Sequence, residues 1–314
     1  MAKQDRGNWF VRFIQVFGMT FGALMSFLFF LLILIIVIAL FIPAEQLVGG
    51  NVAVIPIKGA ITTGDNRDFL EDHGPSSETI VDWIKEADKD QGTRAILLEI
   101  DSPGGSPVAT DEVAQAVKEA KKTVVAVIRE RGASGAFWIA TAADHVIANR
   151  MSLTGSIGVV GSRLEFAGLL KDYNITYRRL VAGQYKDAGS RWKEMTPEEQ
   201  ELFQKLLDQV HAEFIQGVAA NRDLPVERVQ ELANGFVLTG AEAKELGLID
   251  ALGNKDDAVK YIEQKLNMTV DLYEFKPTKT FFEEIIGVSS YQIGRGIGTA
   301  LTTQAATDTV QITT

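Results

Sequence analysis

The hydrophobic residues of this chain follow two different patterns, and the first is one long uninterrupted run near the amino terminus. From Phe21 to Ile42 there is no charged residue, and Leu, Ile and Phe dominate. At about 1.5 Å per residue, such a helix crosses a hydrocarbon layer of about 30 Å. A cleaved secretory signal has an apolar region of only about 7–15 residues and a small-residue cleavage site. Here Phe-Ile-Pro-Ala-Glu follows instead, so the pattern predicts an uncleaved membrane anchor over residues 21–43.

Beyond the anchor, the apolar runs are short and alternate with amphipathic stretches. Apolar, β-prone runs at 51–57, 94–100, 123–128 and 145–148 predict strands, and 77–87 and 107–120 predict helices between them. Strands and helices that alternate at this spacing are typical of an α/β fold with a largely buried sheet. Residues 176–181, Thr-Tyr-Arg-Arg-Leu-Val, predict a further strand.

The second half of the chain is mainly helical in its pattern. Thr196 is followed by Pro-Glu-Glu, which predicts a capped helix that continues to about Asn221. Shorter helices are predicted from about Pro225, over 240–246 and over 256–266, and the last ~20 residues have little capacity to bury apolar surface. The chain is therefore predicted to consist of an amino-terminal segment 1–20, the anchor 21–43, an α/β domain 50–270 and a carboxyl-terminal extension 271–314.

Charge and composition exclude several classes of function and orient the anchor. The 314 residues carry a formal charge of −10 and contain no cysteine. Thiolate catalysis, disulfides and cysteine-ligated metals are therefore excluded, and the acidic balance disfavours nucleic-acid binding. Lys3, Arg6 and Arg12 precede the apolar run, whereas no basic residue follows it until Lys58. The positive-inside rule predicts a cytoplasmic amino terminus and an extracytoplasmic domain at the cell membrane.

Ser134 and Lys186 are the strongest candidates for chemistry. Ser134 lies in the run Gly-Ala-Ser-Gly-Ala just before an apolar stretch, which predicts a tight turn opening a helix. A nucleophilic serine needs a base, usually a histidine, but His73, His145 and His211 all lack a helpful local setting. A lysine in a water-poor pocket is the alternative, because burial favours the neutral amine.

Two glycine-rich loops are candidates for supporting that chemistry. Ser102-Pro-Gly-Gly105 follows a predicted strand, where α/β folds commonly place their sites, and glycine amides can hold an oxyanion. The alternative is a strand-to-helix turn that merely needs glycines. Thr154-Gly-Ser-Ile-Gly158 offers the Ser156 hydroxyl to a nearby lysine, or is a purely structural turn. No phosphate-binding loop of the Gly-x-x-x-x-Gly-Lys-Ser/Thr type is present.

Taken in order, these motifs resemble one known family. The set comprises Ser-Pro-Gly-Gly at 102–105, Ala-Ser-Gly at 133–135, Thr-Gly-Ser-Ile-Gly at 154–158, Tyr-Lys-Asp at 185–187, Phe-Val-Leu-Thr-Gly at 236–240 and Ala-Lys-Glu-Leu-Gly-Leu-Ile-Asp at 243–250. Over roughly residues 50 to 270 it resembles the short form of the signal peptide peptidase A family, also called protease IV. The chain departs from commoner family members at Asp101, where many carry Asn, and at Arg191, where proline is more usual.

The resemblance implies a fold and a set of site residues. The fold is the Clp-protease/crotonase type of stacked ββα units, preceded here by one transmembrane helix. Ser134 matches the family nucleophile, Lys186 the general base and Ser156 the serine that holds the lysine. The Gly104-Gly105 turn matches the oxyanion loop, with the amide of Gly135 as a second donor. The resemblance implies no metal and no other cofactor.

The resemblance also implies an assembly and a class of substrate. Family members of this length form homo-oligomeric rings whose sites are completed by neighbouring subunits, so the Ser134–Lys186 pair lies either within one chain or across an interface. The implied substrates are signal-peptide remnants and other unfolded peptides with small or apolar side chains. The alternatives are a membrane protease linked to a stomatin-like partner, a crotonase-like acyl-CoA enzyme, and a membrane scaffold without catalysis.

Overall fold

The computed structural model describes residues 5–41, 49–64 and 74–276. Its first element is a helix of 37 residues, α1 (Asp5–Phe41). Within it, Val16–Leu34 has a mean hydropathy of 2.3 and buries none of its surface against the rest of the protein. Among the described residues, this is the one helix long and apolar enough to cross a membrane. The apolar run predicted from the sequence is therefore helical as far as the structure describes it.

The remainder of the described chain is a mixed α/β domain, as predicted. Its strands are β1 (Val52–Lys58), β2 (Ala95–Ser102), β3 (Thr123–Ala133), β4 (His145–Ala148), β5 (Leu153–Gly155), β6 (Val237–Thr239), β7 (Ala251–Leu252) and β8 (Leu272–Glu274). Its helices are α2 (Ser77–Lys89), α3 (Pro107–Glu119), α4 (Gly135–Thr141), α5 (Ala167–Asp172), α6 (Pro197–Arg222), α7 (Val226–Leu232), α8 (Gly240–Glu245) and α9 (Lys255–Leu266).

One sheet connects all of these strands, in the order β6-β5-β3-β2-β1-β8, with β4 beside β3 and β7 beside β4. Every pairing is parallel except that of β5 with β6. Ile55 and Leu98 belong to the core on the face covered by α2, α3 and α4, and Val54 and Leu97 to the core on the face covered by α9. Burial on both faces explains why these strands are continuous apolar runs, since each buried Leu or Ile contributes about 1.5–3 kcal/mol.

Strand β3 changes its neighbour halfway along, and this is the feature that positions the site. Its first half pairs with β4 from Val125 to Ile128, and its second half pairs with β5 from Arg131 to Ala133. On its other side, β3 pairs with β2, and the register of this pairing shifts between Ile100 and Ser102 of β2. The end of β3 is therefore held by β2 on one side and by the short β5 on the other, and Ser134 follows directly.

Most predicted elements are present with ends that differ by a few residues, but the strand predicted at 176–181 is wrong. These residues have no regular structure, and Tyr177 and Leu180 are exposed. Their composition favours a strand, but β-propensity needs a neighbouring strand to pair with. The capped long helix is confirmed, because Thr196 and Glu199 form a reciprocal capping box at the start of α6.

Candidate active site

Ser134 occupies the sharp turn between β3 and α4, as the sequence predicts. Its backbone has φ 53° and ψ −128°, a region that few residues other than glycine adopt. The turn is held by the Ser134 amide, which donates to the Gly155 carbonyl at 2.8 Å, and by the Ser134 carbonyl, which accepts from the Phe137 amide at 2.9 Å. A strained strand-to-helix turn of this kind is a known way to present a nucleophilic hydroxyl.

The glycine pair of the preceding loop packs directly against this turn. Gly104 has φ 100°, and a Cβ added there would lie 2.8 Å from the Gly135 nitrogen and 2.9 Å from the Ser134 Cβ. A Cβ on Gly105 would lie 2.0 Å from the Ile61 carbonyl oxygen. The structure therefore brings together Gly104, Gly105, Ser134 and Gly135, and neither glycine of the pair tolerates a side chain.

The backbone amides around Ser134 are not equally available. The Gly104 amide donates to Ser102 Oγ at 3.1 Å, and that hydroxyl in turn donates to the Gly59 carbonyl at 2.6 Å. Within the described residues, the amides of Gly105 and Gly135 make no such bond. These two amides are therefore the ones free to bind an oxyanion, while Gly104 allows the close approach.

A small, mostly apolar cavity of about 130 Å³ adjoins Ser134. It is lined in part by Thr110, Trp138, Val159, Val160, Val210 and Phe214. Trp138 stacks on Phe214 with ring centroids 5.1 Å apart, which joins α4 to α6. The cavity has room for a small or medium apolar side chain.

Thr110 is an unexpected member of this cavity wall. The residue is 1% exposed, and its Oγ1 has no hydrogen-bond partner among the described residues. A Cβ on Gly135 would lie 2.2 Å from this oxygen, so Gly135 must also be bare. Thr110 is not among the residues predicted from the sequence, although its helical spacing to the buried Val113 and Val117 is the available signal.

Lys186 lies in a series of tight turns between α5 and α6 and is exposed. Its amide donates to the Gly183 carbonyl at 3.1 Å. The amine makes no hydrogen bond or ion pair with any residue that the structure describes, Ser134 included. Within a single chain, therefore, the Lys186 amine is not hydrogen-bonded to Ser134.

Ser156 lies near the Ser134 turn, but its hydrogen bonds join it to the loop before β6. It has φ 52°, and it follows Gly155, whose carbonyl holds the Ser134 amide. Its hydroxyl donates to the Gly235 carbonyl at 3.0 Å, and its amide donates to the Phe236 carbonyl at 3.0 Å. In the single chain the Ser156 hydroxyl therefore orients the loop before β6, and it does not contact Lys186.

Neither of the two histidines that the structure describes, His145 and His211, provides a base for Ser134. His145, the first residue of β4, pairs with Val125 of β3. Val125 precedes Ser134 by nine residues, so roughly 25 Å of strand separate His145 from Ser134. It stacks on Tyr261 instead, with ring centroids 3.8 Å apart, and burial lowers its pKa. His211 is not among the described residues that line the cavity, and its Nε2 is buried without a described partner. His73 lies outside the described residues.

Outside α1, exposed apolar side chains concentrate in the segment that carries Lys186 and in the first turns of α6. They include Val160, Leu164, Tyr173, Leu180, Trp192 and Leu206. Arg191, the departure from the family pattern, is exposed in the same segment, and its carbonyl accepts from the Phe166 amide at 2.7 Å. Large exposed apolar patches on folded domains are typical of interaction surfaces, which makes this segment a candidate for one.

Comparison with known proteins agrees with this geometry. The model of peptidase family S49 matches residues 116–269, which include Ser134, Ser156 and Lys186. A protein of Methanocaldococcus jannaschii named as a candidate protease is 34% identical over 226 residues, 70% of this chain and 72% of the relative. A protein of Synechocystis sp. named in the same way is 36% identical over 228 residues, 71% of this chain and 77% of the relative.

A third relative carries a more specific name. It is the chloroplastic serine protease SPPA of Arabidopsis thaliana, 32% identical over 258 residues, which are 79% of this chain but 38% of that protein. The fold, the motifs and these likenesses agree with the resemblance drawn from the sequence, and they remove the acyl-CoA enzyme and the non-catalytic scaffold as alternatives. The chain belongs to peptidase family S49, and it is a peptidase.

Proposed function

We propose that this peptidase is a membrane-anchored serine endopeptidase in which Ser134 is the nucleophile and Lys186 is the general base. The observation that carries the proposal is the strained backbone of Ser134, a residue that lines one small cavity together with Gly105 and Gly135, whose amides have no described partner. A nucleophile next to two unused backbone donors is the arrangement that acyl transfer requires. The neighbouring apolar cavity supplies a place for a substrate side chain.

In the proposed reaction, the neutral Lys186 amine takes the proton of the Ser134 hydroxyl as its oxygen attacks the peptide carbonyl. The amides of Gly105 and Gly135 bind the resulting oxyanion. The lysinium then protonates the leaving amine as the carbon–nitrogen bond breaks, which leaves an acyl-enzyme. Lys186 finally takes a proton from water, which attacks the acyl-enzyme and releases the acid while the proton returns to Ser134.

The exposure of Lys186 in a single chain supports a site that neighbouring subunits complete. Burial favours the neutral form of a lysine, so a base at this position needs a surface that shields its amine from water. The exposed apolar residues of the same segment, such as Val160 and Leu180, offer such a surface to a second copy. We therefore propose a homo-oligomeric ring. In this ring, contact with a neighbouring subunit covers Lys186, brings its amine to Ser134 and brings the Ser156 hydroxyl to the same amine.

The proposed substrates are remnant signal peptides and other unfolded peptides. An apolar cavity of about 130 Å³ fits the small and medium apolar side chains in which such peptides are rich. The apolar part of α1, Val16–Leu34, would keep the site at the membrane where these peptides remain. By the positive-inside rule, the amino terminus is cytoplasmic and the catalytic domain is extracytoplasmic.

Hydrolysis of a fluorogenic apolar peptide by the full chain in detergent tests this proposal. Ser134→Ala and Lys186→Ala, each prepared separately, are expected to lose at least about 10³-fold in kcat/KM, because each removes one half of the acyl-transfer machinery. Lys171→Ala, which removes an exposed lysine from α5, is the matched control and should match the parent. Hydrolysis retained by either site variant would refute the Ser134–Lys186 pair.

A further inference from the structure

Ser102 is a buried residue at the base of the glycine loop, and the proposed mechanism does not use it. It is the last residue of β2, and none of its surface is exposed. Its hydroxyl donates to the Gly59 carbonyl at 2.6 Å and accepts from the Gly104 amide at 3.1 Å. One hydroxyl therefore joins the residue after β1 to the glycine that lies against Ser134.

The segment after β1 holds the next peptide group of the loop. The Ile61 amide donates to the Gly104 carbonyl at 3.0 Å, and the Ile61 carbonyl accepts from the Ser106 amide at 2.8 Å. The described residues contain no cis peptide bond, and in a trans peptide the carbonyl and the next amide point in opposite directions. The Gly105 amide therefore points away from Ile61, and Gly105 lines the same cavity as Ser134.

Two fixed peptide groups thus define the conformation of Gly104. The group before it is held by Ser102, and the group after it is held by Ile61. Gly104 has φ 100° and no side chain, so without such bonds many other conformations are open to it. Among the described residues, its amide has no acceptor other than the Ser102 hydroxyl. The bond to Ser102 is therefore the contact that keeps Gly104 in the conformation that directs the Gly105 amide.

We propose that Ser102 is a positioning residue, whose hydroxyl binds the Gly104 amide and so directs the Gly105 amide to the oxyanion. This inference rests on the proposed function, in which Ser134 attacks the peptide carbonyl and the Gly105 amide binds its oxygen. Loss of the hydroxyl leaves the Gly104 amide buried without a partner, which favours another conformation of the loop. The Gly105 amide then points in a different direction, although no residue that contacts the substrate has changed.

The alternative is that the Ser102 hydroxyl only stabilises the fold, and Ser152 provides the matched control for that role. Ser152 is 3% exposed, and its hydroxyl bonds to the backbone carbonyls of Ile128 and Arg129 in β3. Both serines are thus buried hydroxyls that bind the backbone at the end of a strand. The Ser152 hydroxyl, however, binds no amide of the glycine loop, so Ser152→Ala removes a structural hydrogen bond without changing that loop.

The test compares the affinities of the full chain in detergent for two peptides with the sequence of the fluorogenic substrate. A peptide aldehyde forms a tetrahedral adduct with the nucleophilic serine, and the oxygen of this adduct needs the oxyanion donors. The matching peptide alcohol occupies the same cleft but forms no adduct.

In Ser102→Ala, we expect kcat to fall at least about 10-fold with little change in KM, because the lost interaction is made only in the transition state. The affinity for the aldehyde should fall by a similar factor, while the affinity for the alcohol stays within about twofold of the parent. Ser152→Ala should lower the midpoint of thermal unfolding but keep the parental ratio of the two affinities.

A second variant keeps the inference testable if the alanine variant does not fold. Ser102→Cys retains a side chain of similar shape, but a thiol is a weak hydrogen-bond donor and acceptor. We expect it to lower the affinity for the aldehyde relative to that for the alcohol, as in Ser102→Ala. Equal losses of affinity for the two peptides, or an unchanged kcat in folded Ser102→Ala, would overturn the inference.

Failure of the proposed function has a different signature from failure of this inference. In that case the parent would bind the aldehyde no more tightly than the alcohol, or Ser134→Ala would retain hydrolysis, whatever residue stands at position 102. If the parent prefers the aldehyde and Ser134→Ala is inactive, the ratio of affinities in the Ser102 variants decides whether this hydroxyl positions the Gly105 amide.

Discussion

Ser134 adopts a backbone conformation that costs on the order of 1–3 kcal/mol for a residue with a side chain, and the neighbouring loop is built to hold it there. The amide of Ser134 is fixed by Gly155, and Gly104 lies against both Ser134 and Gly135. The sequence pattern alone predicts a tight turn at this position. It does not predict the positive φ, because the strain depends on contacts from β5 and from the loop after β2.

Gly105→Ala tests whether the loop after β2 must pack closely against its neighbours to hold the Gly105 amide in place. The new Cβ would lie 2.0 Å from the Ile61 carbonyl oxygen, and because that atom belongs to the backbone, the whole loop must shift. We expect a loss of at least about 10²-fold in kcat/KM, since a shift of about 1 Å misplaces the Gly105 amide. Gly168→Ala, where a Cβ meets nothing within 4 Å, is the control and should leave hydrolysis of the peptide unchanged. A Gly105→Ala enzyme as active as the parent would contradict this assignment of the oxyanion loop.

The elements that carry chemistry were predictable from the sequence to different degrees. The apolar strands β1, β2 and β3 and the capped helix α6 have strong local signals, so their type and approximate ends follow from pattern alone. The cavity beside Ser134 has no local signal, because it forms where Phe214 of α6 stacks on Trp138 of α4. The strand predicted at 176–181 is wrong for the same reason, because a strand forms only where a second segment pairs with it, and the sequence of one segment does not show its partner.

The contacts between β4, α6 and α9 are expected to make the stability of the fold depend on pH. His145 is half-buried against Tyr261 and lies 3.8 Å from Asp250, which Arg222 of α6 also binds at 2.7 Å. Burial lowers the pKa of His145 from its ordinary 6.5, although Asp250 acts in the opposite direction. Below pH 6.5 the unfolded chain therefore binds a proton that the folded chain resists, and stability falls as the pH drops towards the folded pKa.

We expect the midpoint of thermal unfolding of the full chain in detergent to fall between pH 7 and pH 5. His145→Gln should unfold at a lower temperature at pH 7, because it loses the stacking on Tyr261, but with a smaller change over that pH range. Asp250 does not contribute in this window. Burial is the largest single influence on its pKa and raises it, but the hydrogen bonds from Arg222 and the Val146 amide, together with the nearby positive charge, lower the pKa below its usual range. An unchanged pH dependence in His145→Gln would assign the effect to other groups.

At the scale of the whole molecule, the main question is where the serine and lysine meet. The single chain exposes Lys186 together with apolar residues such as Val160 and Leu180, while Ser134 lies at the end of β3. Patterns along one chain cannot distinguish a contact within that chain from a contact between copies. This is why the sequence identifies both candidate residues but leaves their pairing within one chain or across an interface open.

Mixing two inactive variants distinguishes the two arrangements. If each site combines Ser134 of one subunit with Lys186 of the next, co-assembled Ser134→Ala and Lys186→Ala chains contain some intact sites. For random mixing in equal amounts, we expect about a quarter of the parental activity, because each residue is intact in half of the subunits. Activity that stays at the level of the separate variants, in assemblies shown to contain both, would contradict a site shared between subunits.

The most direct measurement of the central claim is labelling of the full chain with a serine-directed phosphonate, followed by mass spectrometry of the peptides. The account predicts a single adduct on Ser134, formed in parallel with the loss of hydrolysis and greatly slowed in Lys186→Ala, since the serine must lose its proton to react. An adduct on a different residue, or no adduct in protein that still hydrolyses the peptide, would contradict it.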